Sequence, residues 1–116
     1  MNLKQIVEKL ELDVKTCAGQ LDKEIKTGYA SDLMSDVIAR SKKGDIWITL
    51  QVHLNIVAVA SMKELSGIIL INGREPEDET GKRAESENIP ILVSKLPAFE
   101  LIGRLYQLGI SGIEGA

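Results

Sequence analysis

The residues best suited to do chemistry in this chain are polar side chains that follow three short apolar runs. They supply hydroxyl, amide and imidazole groups and two cations, which are the groups that orient a polar ligand or hold an anion. We predict that they are ligand-binding candidates, and we assign no catalytic residue. Thr49, Gln51, His53 and Asn55 follow the first run, Asn72, Gly73 and Arg74 the second, and Ser94 and Lys95 the third.

Several of these candidates also have a simpler structural explanation. His53, the only histidine, can contact a ligand or merely cap a helix at the surface. Gly73 can admit a close ligand or only provide the positive φ that a turn needs. Arg74 and Lys95 can hold an anion, although isolated surface cations often bind nothing specific.

Familiar phosphate and metal motifs do not fit the chain. No G-x-G-x-x-G follows any of the three runs, and Arg83 stands after Gly81 and Lys82 where a P-loop has Ser or Thr. One histidine and one cysteine, Cys17, cannot supply a zinc shell, so we predict no metal site and assign no cofactor. The spacing of His53 and Cys17 does not indicate a nucleophile and base pair either.

The three apolar runs must be the strands that position these side chains. They cover residues 45–50, 67–72 and 90–94, and the intervals between them each fit one helix. Apolar strands without alternation are buried on both faces, which is typical of parallel strands covered by helices. We therefore predict an α/β fold: a small parallel β-sheet core with β-α-β-α-β crossovers flanked by helices. Ligands of such sheets bind beyond the carboxyl ends of the strands.

The remaining segments complete this core. A helix capped by Asn2 and Gln5 opens the chain, and two N-terminal strands, near residues 12–16 and 25–31, should flank the parallel trio. Ser31 or Asp32 can cap a short helix that ends near Gly44. Residues 76–88 predict a solvated helix starting at Pro76, and a last amphipathic helix runs from Pro97 to Gly109.

The helix predicted at residues 53–65 is apolar nearly all round. Residues 56–60 contain no polar side chain, so both sides of this helix need cover. The sheet can cover one side, and we predict that a second copy of the chain covers the other in a homodimer.

Length and composition limit the possible partners. The 116 residues make one domain, 1–116, and a net charge of −3 gives no basic surface for nucleic acid or an anionic membrane. Without a signal peptide, a long apolar run or a second cysteine, the sequence predicts a cytoplasmic protein.

The chain has a characteristic order of segments: residues 44–49, an apolar helix, residues 67–73 with Glu75 and Pro76, and residues 88–92. This framework resembles the DRTGG domain family over roughly residues 13–109. The family's Asp-Arg pair falls on Val52 and His53 here, and its Thr-Gly-Gly falls on Ile71, Asn72 and Gly73, so only the last glycine is kept. The resemblance implies a regulatory or ligand-sensing module, a kind of domain found beside CBS pairs and phosphotransacetylases and, in a related fold, in HPr kinase.

We therefore expect a non-enzymatic regulatory domain that binds a small ligand or a regulatory partner protein at the C-terminal ends of the parallel strands. Two alternatives stay open. One is a small transferase or hydrolase that uses His53 with Thr49 or Asn55, and the other is a pure protein-interaction module.

Overall fold

The computed structural model describes residues 1–115, which form one five-stranded sheet with helices on both faces. In chain order the elements are α1 (Leu3–Leu10), β1 (Asp13–Val14), a 3-10 helix (Ala18–Gln20), β2 (Gly28–Ala30), α2 (Met34–Arg40), β3 (Ile46–Thr49), α3 (Asn55–Met62), β4 (Gly67–Leu70), α4 (Asp78–Ser86), β5 (Ile91–Val93) and α5 (Ala98–Gln107).

The strand order is β1-β5-β4-β3-β2, with β1 antiparallel to β5 and all other neighbours parallel. The predicted α/β fold is confirmed, as are the parallel trio β3, β4 and β5 and the two flanking N-terminal strands. The parallel part is larger than the trio, because α2 crosses over from β2 to β3 and makes β2 a fourth parallel strand. Strands buried on both faces explain the unbroken apolar runs, since every residue of β3, β4 and β5 is buried.

Two apolar cores lie on opposite faces of the sheet. One contains Trp47 with residues of α2, α3 and α4, and the other contains Ile46 and Ile48 with residues of α1 and α5. Alternate side chains of one strand therefore enter different cores, as strand geometry requires. Aliphatic residues build most of both cores, because the chain has only four aromatic residues: one Trp, two Tyr and one Phe.

Helices α3, α4 and α5 are each shorter than the sequence predicts, and α5 spans Ala98–Gln107 within the predicted range 97–109. The 53–65 helix is shorter because His53 and Leu54 lie in its entry turn and Glu64, with φ +54°, lies beyond its end. The Pro76 helix begins at Asp78, because Glu77 has an extended backbone with ψ 154° and forms the N-cap, while its N–H donates to the Val52 carbonyl in the loop after β3. These differences do not change which strand ends adjoin which loops.

The predicted caps have mixed outcomes. Asn2 and Gln5 form the reciprocal capping box of α1, with distances of 3.0 and 2.9 Å between the bonded atoms. The cap of α2 by Ser31 or Asp32 was wrong, because the residue before the helix is Leu33 and no side chain caps it. The Asp32 carboxylate instead bonds to the end of β3.

Candidate functional site

The parallel strands β3, β4 and β5 end at one edge of the sheet, where three loops continue them. We call these loops together the rim: residues 50–54 after β3, residues 71–77 after β4 and residues 94–97 after β5. Because parallel strands place their carboxyl ends together, all nine predicted binding residues lie in the rim or next to it. Thr49 is the last residue of β3 and Asn55 the first of α3.

The first rim loop is held by Asp32, which comes from the segment before α2. Its Oδ1 atom accepts hydrogen bonds from the Thr49 hydroxyl and from the Leu50 N–H, both at 2.7 Å. The Gln51 side-chain amide donates to the Asp32 carbonyl at 3.0 Å, and the Gln51 N–H donates to Thr49 Oγ1 at 3.1 Å. Thr49 is only 1% exposed, so both it and Gln51 position the loop. Sequence reasoning missed Asp32, whose only signal was a helix-capping pattern.

His53 joins the first rim loop to the second. Its Nδ1 atom lies 2.8 Å from Oε2 of Glu77, and both side chains are more than half exposed. The Val52 carbonyl accepts from the Glu77 N–H at 3.2 Å and from the Thr80 hydroxyl at 2.8 Å. The entry to α3 is thus bonded to the start of α4, and the histidine ring is held at the surface.

The second and third rim loops are bonded through their main chains. The Asn72 N–H donates to the Leu96 carbonyl at 3.0 Å, and the Gly73 N–H donates to the Ser94 carbonyl at 2.8 Å. Asn72 and Gly73 have φ of +56° and +66°, so the turn itself requires residues that tolerate this region. The space where a Gly73 side chain would begin is open, with nothing within 4 Å, so the glycine also leaves the approach clear.

The charged and hydroxyl groups of these two loops have different roles. Ser94 is 2% exposed, and its Oγ accepts from the Leu96 N–H at 3.1 Å, so it stabilises the loop. Arg74 and Lys95 are exposed and form no ion pair within residues 1–115. Ser94 and Lys95 also line a cavity of about 190 Å³ with Glu11, Asp13 and Arg104.

The geometry gives binding chemistry more support than nucleophilic chemistry. His53 and Glu77 form an imidazole–carboxylate pair, but within residues 1–115 no hydrogen bond joins His53 to a hydroxyl or a thiol. The Thr49 hydroxyl is turned away to Asp32. Asn55 is exposed at the first position of α3.

Cys17 lies far from this edge, against the later part of α4. Its Sγ is 3.6 Å from the Ala84 carbonyl oxygen, whereas His53 contacts Glu77, about two helical turns earlier along α4. Burial and the neighbouring Glu85 carboxylate raise the pKa of the Cys17 thiol, which disfavours the thiolate. Within the part of the chain that the structure describes, no three His, Cys, Asp or Glu side chains are grouped for a metal ion. In the same residues no helix is long and apolar enough to cross a membrane.

Comparison with known proteins supports the fold. No protein-family model and no curated protein matches the chain. The structure is similar to a solved structure of the CBS and DRTGG domains of the regulatory region of Clostridium perfringens pyrophosphatase, complexed with the activator diadenosine tetraphosphate. The TM-score is 0.72 at 17% sequence identity, and the match covers 97% of this chain and 50% of that chain.

The class that the fold and site define is therefore an α/β domain with a loop-built rim, similar in fold to part of a regulatory region. The resemblance to DRTGG domains indicated by the sequence is confirmed at the level of the fold, and this chain spans half the length of the matching structure.

Proposed function

We propose that this chain is a non-enzymatic regulatory domain that binds a small ligand, or a regulatory partner protein, at the rim. The observation that carries the proposal is the set of hydrogen bonds that joins all three rim loops. Val52 is bonded to Glu77, and Gly73 is bonded to Ser94. A ligand that touches one loop therefore acts on the others as well.

The rim also connects to the helices that cover one face of the sheet. Asp32 joins it to the segment that leads into α2, and the loops lead directly into α3 and α4. A ligand that bridges the loops would bind one arrangement of these helix starts more tightly than another. This difference in affinity is what lets a ligand shift a regulatory domain between two states. The similarity to a regulatory region supports this interpretation.

The two unpaired cations of the rim, Arg74 and Lys95, suit a negatively charged group on a ligand, while the exposed carboxylates of Glu75 and Glu77 are paired with Lys15 and His53. His53, Arg74 and Lys95 are exposed, whereas the hydroxyls of Thr49 and Ser94 are buried and engaged. Because the matching regulatory region holds a dinucleoside polyphosphate, nucleotides belong in the first set of ligands to test.

The proposal is tested by thermal unfolding with diadenosine tetraphosphate, ATP, AMP and a set of metabolites. A ligand at 100 times its dissociation constant stabilises the native state by about 2.7 kcal/mol, which raises the melting temperature of a domain of this size by roughly 10 °C. The double variant Arg74→Ala with Lys95→Ala should lose this shift. Lys9→Ala on α1, which removes a cation outside the rim, should keep it.

The enzyme alternative predicts different results in the same experiments. It requires turnover of a bound compound that is lost in His53→Ala, whereas a regulatory domain binds without turnover. Stabilisation by none of the compounds would contradict ligand sensing and favour a module that acts only through protein contacts.

We also propose that the domain forms a homodimer through α3 and its neighbours. Helix α3 packs between α2 and α4, and this chain already buries Ile56, Val57, Val59 and Ala60. The apolar side chains left for a second copy are therefore at the margins: Ala58 and Met62 on α3, Leu54 in the first rim loop, and Leu33 and Ile38 at α2. A second copy that contacts Ala58 and Met62 but not Leu54 or His53 would leave the rim accessible.

A further inference from the structure

The cavity beside the third rim loop is lined by charges of both signs. It has a volume of about 190 Å³ and lies between this loop, the end of α1, the start of β1 and α5. Glu11 and Asp13 line it on the side of α1 and β1. Lys95 and Arg104 line it on the side of the loop and α5. The cavity therefore has an acidic side and a basic side.

The opposite charges of this cavity do not pair with each other. Within residues 1–115, Glu11, Asp13 and Lys95 form no ion pair. Arg104 places its Nε atom 3.0 Å from Oε2 of Glu100, and its terminal nitrogens donate no hydrogen bond in the same part of the chain. Carboxylates and cations that line one cavity without pairing leave space between them for a ligand that binds both.

The hydroxyl of Ser94 adds a buried donor to the basic side. Ser94 lines the cavity and is 2% exposed. Its Oγ atom accepts from the Leu96 N–H at 3.1 Å, but within the described residues its proton has no acceptor. A serine hydroxyl donates one hydrogen bond as well as accepting, so the fold leaves this donor unused. A carboxylate in the cavity would accept it in a charge-assisted hydrogen bond.

The end of helix α1 strengthens the acidic side. Leu10 is the last residue of α1, and Glu11 is its C-cap. The carbonyl end of a helix carries partial negative charge, which favours a cation beside it. The helix end and the two carboxylates have the same sign, so a positively charged group is stabilised on this side of the cavity.

The remaining lining limits the size and polarity of a ligand. Leu10 and Leu96 are half-buried side chains that pack against the core between the sheet, α1 and α5. A cavity of about 150 Å³ holds a benzene molecule, so the volume here suits a compound slightly larger than benzene, such as valine. The apolar part of such a compound would contact the two leucines.

We propose that this cavity binds the zwitterion of a small aliphatic α-amino acid. The carboxylate of the amino acid contacts Lys95, Arg104 and the Ser94 hydroxyl. Its ammonium group lies beside Glu11 and Asp13. A simple anion would be repelled by the carboxylates and a simple amine by the cations, so a ligand with both charges gains most. The inference rests on the proposed ligand binding at the rim and adds the class of ligand for its third loop.

The test is an NMR titration of the ¹⁵N-labelled full chain with L-valine. The amide signals of Glu11, Asp13, Ser94 and Lys95 should shift with one dissociation constant. Two analogues each lack one charge: 3-methylbutanoate has no ammonium group, and valinamide has no carboxylate. Each should bind about tenfold more weakly or worse, because each loses its charge-assisted hydrogen bonds on one side of the cavity.

Matched variants separate this cavity from other charged surfaces. Glu11→Gln and Lys95→Met remove one charge from each side and should weaken valine binding about tenfold. Glu8→Gln and Lys9→Met remove exposed charges of α1 outside the cavity and should leave the affinity unchanged. Thermal unfolding of each variant confirms that it is folded before its affinity is measured.

Two results would overturn the inference. One is equal affinity for valine and both analogues, and the other is no shift of these amides at about 10 mM valine in the folded protein. If a nucleotide still stabilises the protein in that case, the ligand class is wrong and ligand binding at the rim stands. If no compound of either class binds, the proposed ligand sensing fails as well.

Discussion

Replacing Asp32 with alanine should destabilise the protein although Asp32 itself is exposed. The substitution removes the acceptor of two short hydrogen bonds and leaves the Thr49 hydroxyl, which is 1% exposed, without an acceptor for its proton. Loss of a buried partner costs about 1–3 kcal/mol, and hydrogen bonds to a charged group are at the upper end of this range. Allowing for partial rescue of the Leu50 N–H by water, we expect a loss of about 2 kcal/mol.

The melting temperature should reflect this loss. With an unfolding entropy of about 2.1 cal/mol/K per residue, a chain of 116 residues loses roughly 8 °C for 2 kcal/mol. Urea unfolding followed by the fluorescence of Trp47, the only tryptophan, measures the free energy independently.

Two controls make the experiment specific. Asp32→Asn keeps an acceptor oxygen and should cost less than half as much, and Asp22→Ala removes an exposed carboxylate elsewhere and should be neutral. In a double-mutant cycle with Thr49→Val, the double variant should lose about 1 kcal/mol less stability than the sum of the two single losses, because both substitutions break the same hydrogen bond. If the free energy of unfolding of Asp32→Ala lies within about 0.5 kcal/mol of that of the unchanged protein, Asp32 does not stabilise the rim.

Four further predictions follow from the packing and the charges. Leu105→Ala, at a 2% exposed position, should cost about 2–5 kcal/mol in urea unfolding, and a neutral result would contradict the packing of α5. Gly103→Ala on the exposed face of the same helix should raise stability by about 0.5–1 kcal/mol, since nothing obstructs the added Cβ, and a loss would refute this. The hydrogen bond between Tyr29 and Asp36 raises the pKa of the tyrosine and lowers that of the aspartate. The difference in unfolding free energy between the unchanged protein and Tyr29→Phe should therefore be largest between the usual aspartate and tyrosine pKa values. It should shrink as pH falls below the usual aspartate pKa and as pH rises above the usual tyrosine pKa. Analytical ultracentrifugation should give twice the chain mass for the unchanged protein and the single mass for Met62→Glu on α3, and a monomer at high concentration would rule out the dimer.

The fold could be predicted from the sequence because its strongest signals are local. Three short apolar runs such as residues 67–72 are typical of strands covered on both faces, and their spacing leaves room for one helix each. The same reasoning failed at the helix ends, where tertiary hydrogen bonds decide. Glu77 is extended at the N-cap of α4 and bonded to Val52, and periodicity contains no information about this contact.

For the candidate site, the sequence predicts only the location. Because the carboxyl ends of parallel strands lie at one edge of a sheet, the sequence predicts that Thr49, His53, Asn72 and Ser94 lie at the rim. Which of these side chains are free could not be read from the sequence, because their partners come from distant segments. Asp32 is 17 residues from Thr49 and matched a capping pattern that the structure does not use.

The most direct test of a ligand-binding rim is an NMR titration of the ¹⁵N-labelled chain with whichever compound of the nucleotide and metabolite set gives the largest thermal shift. Shift changes confined to residues 50–54, 71–77 and 94–97, all fitting one dissociation constant, are the expected result. Changes centred on another surface, or separate constants for the three loops, would contradict a single coupled rim.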